Sequence, residues 1–160
     1  TSNHTPFTLP DHYKAYTVII PDSILNVLRT NEDIAIKNFR SSQYASDCLG
    51  RFIDMIRKSE FGENTIIAAT GDHNTLQLFN FTDKQMLQKF GVPFVLYVPE
   101  KYLTLCTIDT NRFGSHKDIF PTLFNLSLSN ANYLNSGINL MDTVGIENSF
   151  SIIDYRNILL

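Results

Sequence analysis

At 160 residues the chain has the length of a single domain, since one core is typically built from about 100 to 150 residues. Apolar residues make up 43% of it and charged residues 18%, the balance of a folding globular chain and not of a disordered one. A net charge of −3 with scattered Lys and Arg lacks the basic stripe that nucleic acid requires, so no nucleic-acid partner is expected.

The chain opens without methionine on Thr1-Ser2-Asn3-His4-Thr5-Pro6-Phe7, which reads as the interior of a longer protein. No signal-type segment follows, and the longest apolar runs fall well short of the roughly 18 to 20 residues that span a bilayer. Residues 17–20 are expected as an edge strand. The clearest helix covers residues 33–58. There Ala45, Cys48, Leu49, Phe52, Ile53, Met55 and Ile56 recur at three- and four-residue spacing as a core-facing stripe, with Arg40, Gln43, Asp47, Arg51 and Asp54 on the polar face. Residues 64–70 form a short, nearly continuous apolar run ended by Gly71, the pattern of a strand covered on both faces. A short helix is expected over 83–90. A second buried strand, bracketed by Pro93 and Pro99, follows over 93–99. Residues 115–128 read as a helix capped by Ser115 or Asp118, with Pro121 in its first turn. A late strand is placed at 149–155, inside a tail (145–160) that is otherwise unassigned. This alternation of strands and helices predicts an α/β fold with a mostly parallel sheet flanked by helices.

In such sheets ligands bind beyond the carboxyl ends of the strands, which directs attention to Thr70-Gly71-Asp72-His73. A turn at Gly71 would let a carboxylate and an imidazole converge, and a hard oxygen beside a borderline nitrogen suits a divalent ion such as Mn²⁺ or Zn²⁺. The competing reading is that Asp72 caps the next segment and His73 is an ordinary turn residue. His4 either donates to an anionic substrate or is a surface residue, and His12 has only the surface reading. His116 precedes a helix start, where an added donor favours anions, but a capping turn explains it better. Asp118 is read as a cap or as the partner of its own turn. Met55, Phe52, Phe94 and Phe124 are assigned to the core by their spacing. Cys48 and Cys106 lack the spacing of a zinc site, and one bridge between them stays open. No phosphate-binding Gly-rich loop and no Gly-x-Ser-x-Gly elbow is present.

Taken in order, five segments resemble the carboxyl-terminal half of the sulfatase-type domain of the alkaline phosphatase superfamily, most closely the lipoteichoic acid synthase-like phosphoglycerol transferases. They are residues 1–7, 44–53 (Tyr44-Ala45-Ser46-Asp47-Cys48-Leu49-Gly50-Arg51-Phe52-Ile53), 64–73 ending in Gly71-Asp72-His73, 92–99, and 115–123 with Asp118-Ile119-Phe120-Pro121-Thr122-Leu123. The resemblance implies that the chain is the carboxyl-terminal portion of an incomplete catalytic domain. It implies that Asp72 and His73 are two ligands of one divalent ion (Mn, Mg, Zn or Ca), and that His4 contacts the phosphate-bearing headgroup. A Thr nucleophile and an acidic ligand would lie upstream, so no catalytic nucleophile is expected in this chain, and the chain alone is expected to be inactive. The absence of a further His between Asn74 and Val92 favours phosphoglycerol over phosphoethanolamine transfer.

The expected activity is therefore metal-dependent transfer of a phosphoglycerol-type headgroup from a phospholipid through a covalent phospho-Thr intermediate. Membrane association would come through the upstream part, facing the periplasm or the exterior of the cytoplasmic membrane, and the exposed sheet edge of a half-domain would promote self-association. Two alternatives stand beside it: a sulfate- or phosphate-ester hydrolase of the same superfamily, and a noncatalytic binding module.

Overall fold

A computed structural model of the chain describes residues 3–75, 77–103, 109–128 and 130–142, together with the backbone of two short strands at 152–154 and 157–159. In chain order the elements are α1 (Asp22–Leu25), α2 (Glu32–Arg57), β1 (Ile67–Thr70), α3 (Met86–Phe90), β2 (Phe94–Tyr97), α4 (Glu100–Leu103), α5 (Ile119–Ser127), β3 (Ile152–Asp154) and β4 (Asn157–Leu159). Short 3-10 turns precede β1, α3 and α5. The chain divides into two compact units: Thr1–Ser59 with Gly71–Pro93, and Glu60–Thr70 with Phe94–Leu160.

The first unit is built on α2. The Asn31 side chain caps it by accepting from the Ile34 N–H at 2.9 Å. Glu32 and Asp33 sit in the first turn and Arg57 in the last, each matching the sign of the helix dipole. Asp54 pairs with Arg57 at 2.7 Å and with Lys58 at 2.5 Å, closing the carboxyl end. The core consists of Ile20, Ala35 and Leu78, with Val18, Ile24, Leu28, Phe39 and Phe79 packed against it. Full burial of one such aliphatic side chain contributes about 1.5 to 3 kcal/mol.

Residues 78–80 run antiparallel beside 27–29 through Arg29 N–H to Leu78 O (2.9 Å) and Asn80 N–H to Val27 O (2.7 Å). The stretch that follows Asp72 and His73 is thus fastened to the core by Leu78 and Phe79. A Thr82–Gln85 capping box opens the 3-10 turn that leads into α3, so the expected helix over 83–90 is present in two pieces.

In the second unit β1 and β2 pair antiparallel, with Ile67 opposite Tyr97 and Thr70 opposite Phe94. This corrects the expectation of parallel neighbours. Residues 71–93 leave and return at the same end of the pair, as in a hairpin with a long excursion, whereas a parallel pair needs a crossover to the opposite end. Continuous apolar runs carry no information on strand direction. The two strands are also half-buried, with Thr70 and Val95 exposed, because the described residues supply this sheet with no third strand.

Three further expectations change. Residues 17–20 form no strand, although Ile20 enters the core: nothing described pairs with their backbone. On α2 the buried positions are Ala35, Asn38 and Ser41, while Phe52 and Met55 are 45% and 62% exposed. Segments 12–16 and 77–81 pack on other parts of the helix, and the apolar stripe near its carboxyl end lacks a cover among the described residues. Phe94 and Phe124 are only partly buried. Cys48 is a free thiol. Cys106 lies outside the described residues, as does most of the tail, where β3 and β4 pair antiparallel across the expected late strand. No helix among the described residues is long and apolar enough to cross a membrane.

Candidate functional site

Asp72 and His73 belong to the first unit and follow Thr70, the last residue of β1, after Gly71. The carboxylate Oδ2 lies 3.4 Å from the imidazole Nε2, and both side chains are largely open to solvent. The convergence does not use left-handed glycine geometry at Gly71, whose small size instead permits close approach to Val92. It comes from Asp72, whose Oδ1 accepts the His73 N–H at 3.0 Å and folds the side chain over the turn.

His73 Nδ1 lies 3.1 Å from the Asn74 carbonyl oxygen. A carbonyl only accepts, so Nδ1 carries the proton, and in the neutral ring Nε2 then turns its lone pair toward the carboxylate. Two acceptors facing one another call for a cation between them, either a proton or a metal ion. A tetrahedral ion with bonds of about 2.0 to 2.2 Å sets neighbouring donors about 3.4 Å apart, which is the separation observed. Asn74 steadies the loop. Its side chain donates to the Gln88 carbonyl at 2.9 Å and accepts from the Thr75 N–H at 2.7 Å.

The Asp72 carboxyl is held below its ordinary range by the His73 backbone N–H first and by its own N–H next. His4 belongs to the same unit as Asp72 and His73. Its segment is tied to α2, because buried Ser41 donates to Asn3 at 2.5 Å, and the Phe7 N–H returns to the His4 carbonyl at 2.7 Å. The three residues singled out from sequence thus share the first unit, and Asp72 and His73 are the two in contact. Asp72 and His73 fit a divalent ion as two of its ligands. Among the described residues no third His, Cys, Asp or Glu completes the set.

His116 and Asp118 belong to the second unit. His116 opens the 3-10 turn before α5. Asp118 is fully buried and forms a reciprocal capping box with Ser115. Asn74, which braces the Asp-His turn, is not among the residues expected to form the site, although an Asn directly after such a turn is a recognisable local-bond signal.

A family model for sulfatases matches residues 1–127 of this chain. Comparison with curated proteins and with solved structures finds no match. Proteins with this domain have an α/β fold, act on sulfate or phosphate esters and are typically metal-dependent. With four-fifths of its length matched, this chain belongs to the sulfatase family, within the alkaline phosphatase superfamily.

Proposed function

We propose that the protein transfers a phosphoglycerol-type headgroup from a phospholipid, with Asp72 and His73 holding one divalent ion and His4 donating to the headgroup. The observation that carries this reading is the 3.4 Å approach of the Asp72 and His73 donor atoms, fixed from behind by Asn74. When bound, the ion neutralises charge on the phosphoryl oxygens and lowers the pKa of the attacking hydroxyl. Asp72 supplies a carboxylate that stays ionised, His73 supplies the Nε2 lone pair, and His4 supplies a donor to the headgroup.

The nucleophile is a threonine outside this chain. Its oxygen bonds to phosphorus as the bond from phosphorus to the diacylglycerol oxygen breaks, and diacylglycerol leaves with the proton. An acceptor hydroxyl then bonds to phosphorus, the phospho-Thr bond breaks, and the threonine hydroxyl is restored. Sequence outside this chain also completes a mostly parallel sheet and anchors the enzyme on the outer face of the cytoplasmic membrane. The uncovered Phe52 and Met55 favour self-association of the chain in isolation, which by itself leaves phosphodiesters intact.

The test is turnover by the protein with its upstream half restored. Phosphatidylglycerol and a divalent ion should release diacylglycerol in the wild type and not in His73→Ala. Cleavage of simple sulfate or phosphate monoesters without diacylglycerol release would instead establish the hydrolase of the same superfamily, with the same two ligands.

A further inference from the structure

A second site lies in the first unit and shares no lining residue with the Asp72–His73 pair. Where the segment around Tyr13 crosses α2, a shallow, open groove of about 390 Å³ lies between Tyr13, Tyr16 and Tyr44. Its walls are held in place. The Tyr13 hydroxyl donates to Asp47 Oδ2 at 2.6 Å, and the Tyr16 N–H donates to the Gln43 side chain at 3.1 Å. The Tyr13 and Tyr44 rings meet edge to face at 4.9 Å.

The charge around it is uneven. His12, Lys14 and Arg51 line the groove against one carboxylate, Asp47, which already accepts from Tyr13. Arg51 donates one N–H to the Cys48 thiol at 3.4 Å, a weak acceptor, and feels the Asp47 charge without a hydrogen bond to it among the described residues. Lys14 is exposed and forms no ion pair with the described residues. The Tyr16 ring is 76% exposed, offering an aromatic face beside these cations.

We infer that this groove is a binding site for a small hydroxylated ligand bearing phosphate or sulfate, such as a sugar or polyol phosphate, with Lys14 and Arg51 on the anion and Tyr16 against the carbon skeleton. Aromatic faces pack on the C–H surface of polyols while their hydroxyls stay in water, and guanidinium matches tetrahedral oxyanions. The site performs no chemistry, and it stands whether or not the transfer reaction proposed above is correct.

The test is titration of the full chain with glycerol 3-phosphate, glycerol and inorganic phosphate at low salt, read as residue-resolved amide NMR shifts. Glycerol 3-phosphate should give saturable shifts confined to residues around 12–16 and 44–51, at lower concentration than either fragment. Lys14→Gln and Tyr16→Ala, both surface changes that leave the fold intact, should each weaken binding up to about fivefold. Lys58→Gln should not. Saturable shifts that persist unchanged in both variants would overturn the inference, as would absence of saturation. Equal affinity for inorganic phosphate would overturn it too, because the aromatic wall would then contribute nothing.

Discussion

Removing the Asp118 carboxylate should loosen the second unit more than any other single polar deletion among the described residues. Asp118 is fully buried, and its oxygens accept from Ser115 N–H (2.8 Å), Ser115 Oγ (3.2 Å), Lys117 Nζ (2.9 Å) and Ile138 N–H (2.9 Å). Next to it, Thr122 Oγ1 donates to the Asp118 carbonyl at 2.7 Å and accepts from Leu140 N–H at 2.9 Å, so residues 137–140 are stitched to the start of α5. Asp118→Ala strands two backbone donors, each costing about 1 to 3 kcal/mol. Lys117 is partly exposed and recovers water, so its share is small. The sum is about 2 to 6 kcal/mol, a large part of the roughly 5 to 15 kcal/mol that holds a domain together. At about 2 to 4 °C per kcal/mol for a chain of this size, the melting temperature should fall by about 10 °C.

The dependence on pH follows from the same contacts. Burial on its own would raise the Asp118 carboxyl, but Lys117 and the N–H groups of Ile138 and Ser115 outweigh it and leave it below its ordinary value. A depressed carboxyl adds stability that is complete above the unfolded value of about 4 and is lost as pH falls through the folded one. Urea unfolding at pH 7 and pH 3 should therefore show Asp118→Asn losing less stability on acidification than the wild type. A cost below about 1 kcal/mol for Asp118→Ala at pH 7 would refute the reasoning.

Gly137→Ala should cost about 1 to 3 kcal/mol in the same unfolding assay, because a Cβ there would sit 2.2 Å from the Lys117 carbonyl oxygen and 2.7 Å from Asp118 Oδ1. A neutral result would mean the 137–140 segment does not lie against α5. Asn31→Ala should cost about 1 kcal/mol through loss of the α2 cap, read by thermal circular dichroism, and Asn31→Asp should restore it. Tyr13 donates to Asp47, and that bond, then burial and the carboxylate charge, push its phenol up to about 12. Ultraviolet titration of single-tyrosine differences should show Asp47→Asn returning it toward 10, and an unchanged titration would break the assignment of that contact.

Local chemistry was legible where one segment decides its own conformation. The capping and dipole signals around Asn31, Glu32 and Arg57 define α2 to within a residue of its expected bounds. The Ser115–Asp118 box and the Asp-His turn likewise need only neighbouring side chains. Features set by distant partners were not legible. Which face of α2 is buried depends on where Ile20 and Leu78 dock, so a stripe spaced correctly for a core leaves Met55 open. Strand direction depends on where the 71–93 excursion returns, and an apolar run is silent on that. Asp118 reads as a helix cap, but its burial needs Gly137 to pass close by. His12 is exposed, as its sequence reading has it, but that it lines a groove with Tyr13 and Asp47 depends on the segment around Tyr13 folding back on α2. At the candidate site the residue types were visible, while the distance between Asp72 and His73 and the bracing by Asn74 required the fold.

The central claim is that Asp72 and His73 jointly bind a divalent ion, and Mn²⁺ titration of the chain followed by paramagnetic broadening of amide NMR signals tests it directly, even if affinity is low. Signals of residues 72–74 should broaden first, at Mn²⁺ well below one equivalent, and this selectivity should vanish in both Asp72→Asn and His73→Gln. Broadening spread over the acidic surface, or unchanged in either variant, would contradict the account.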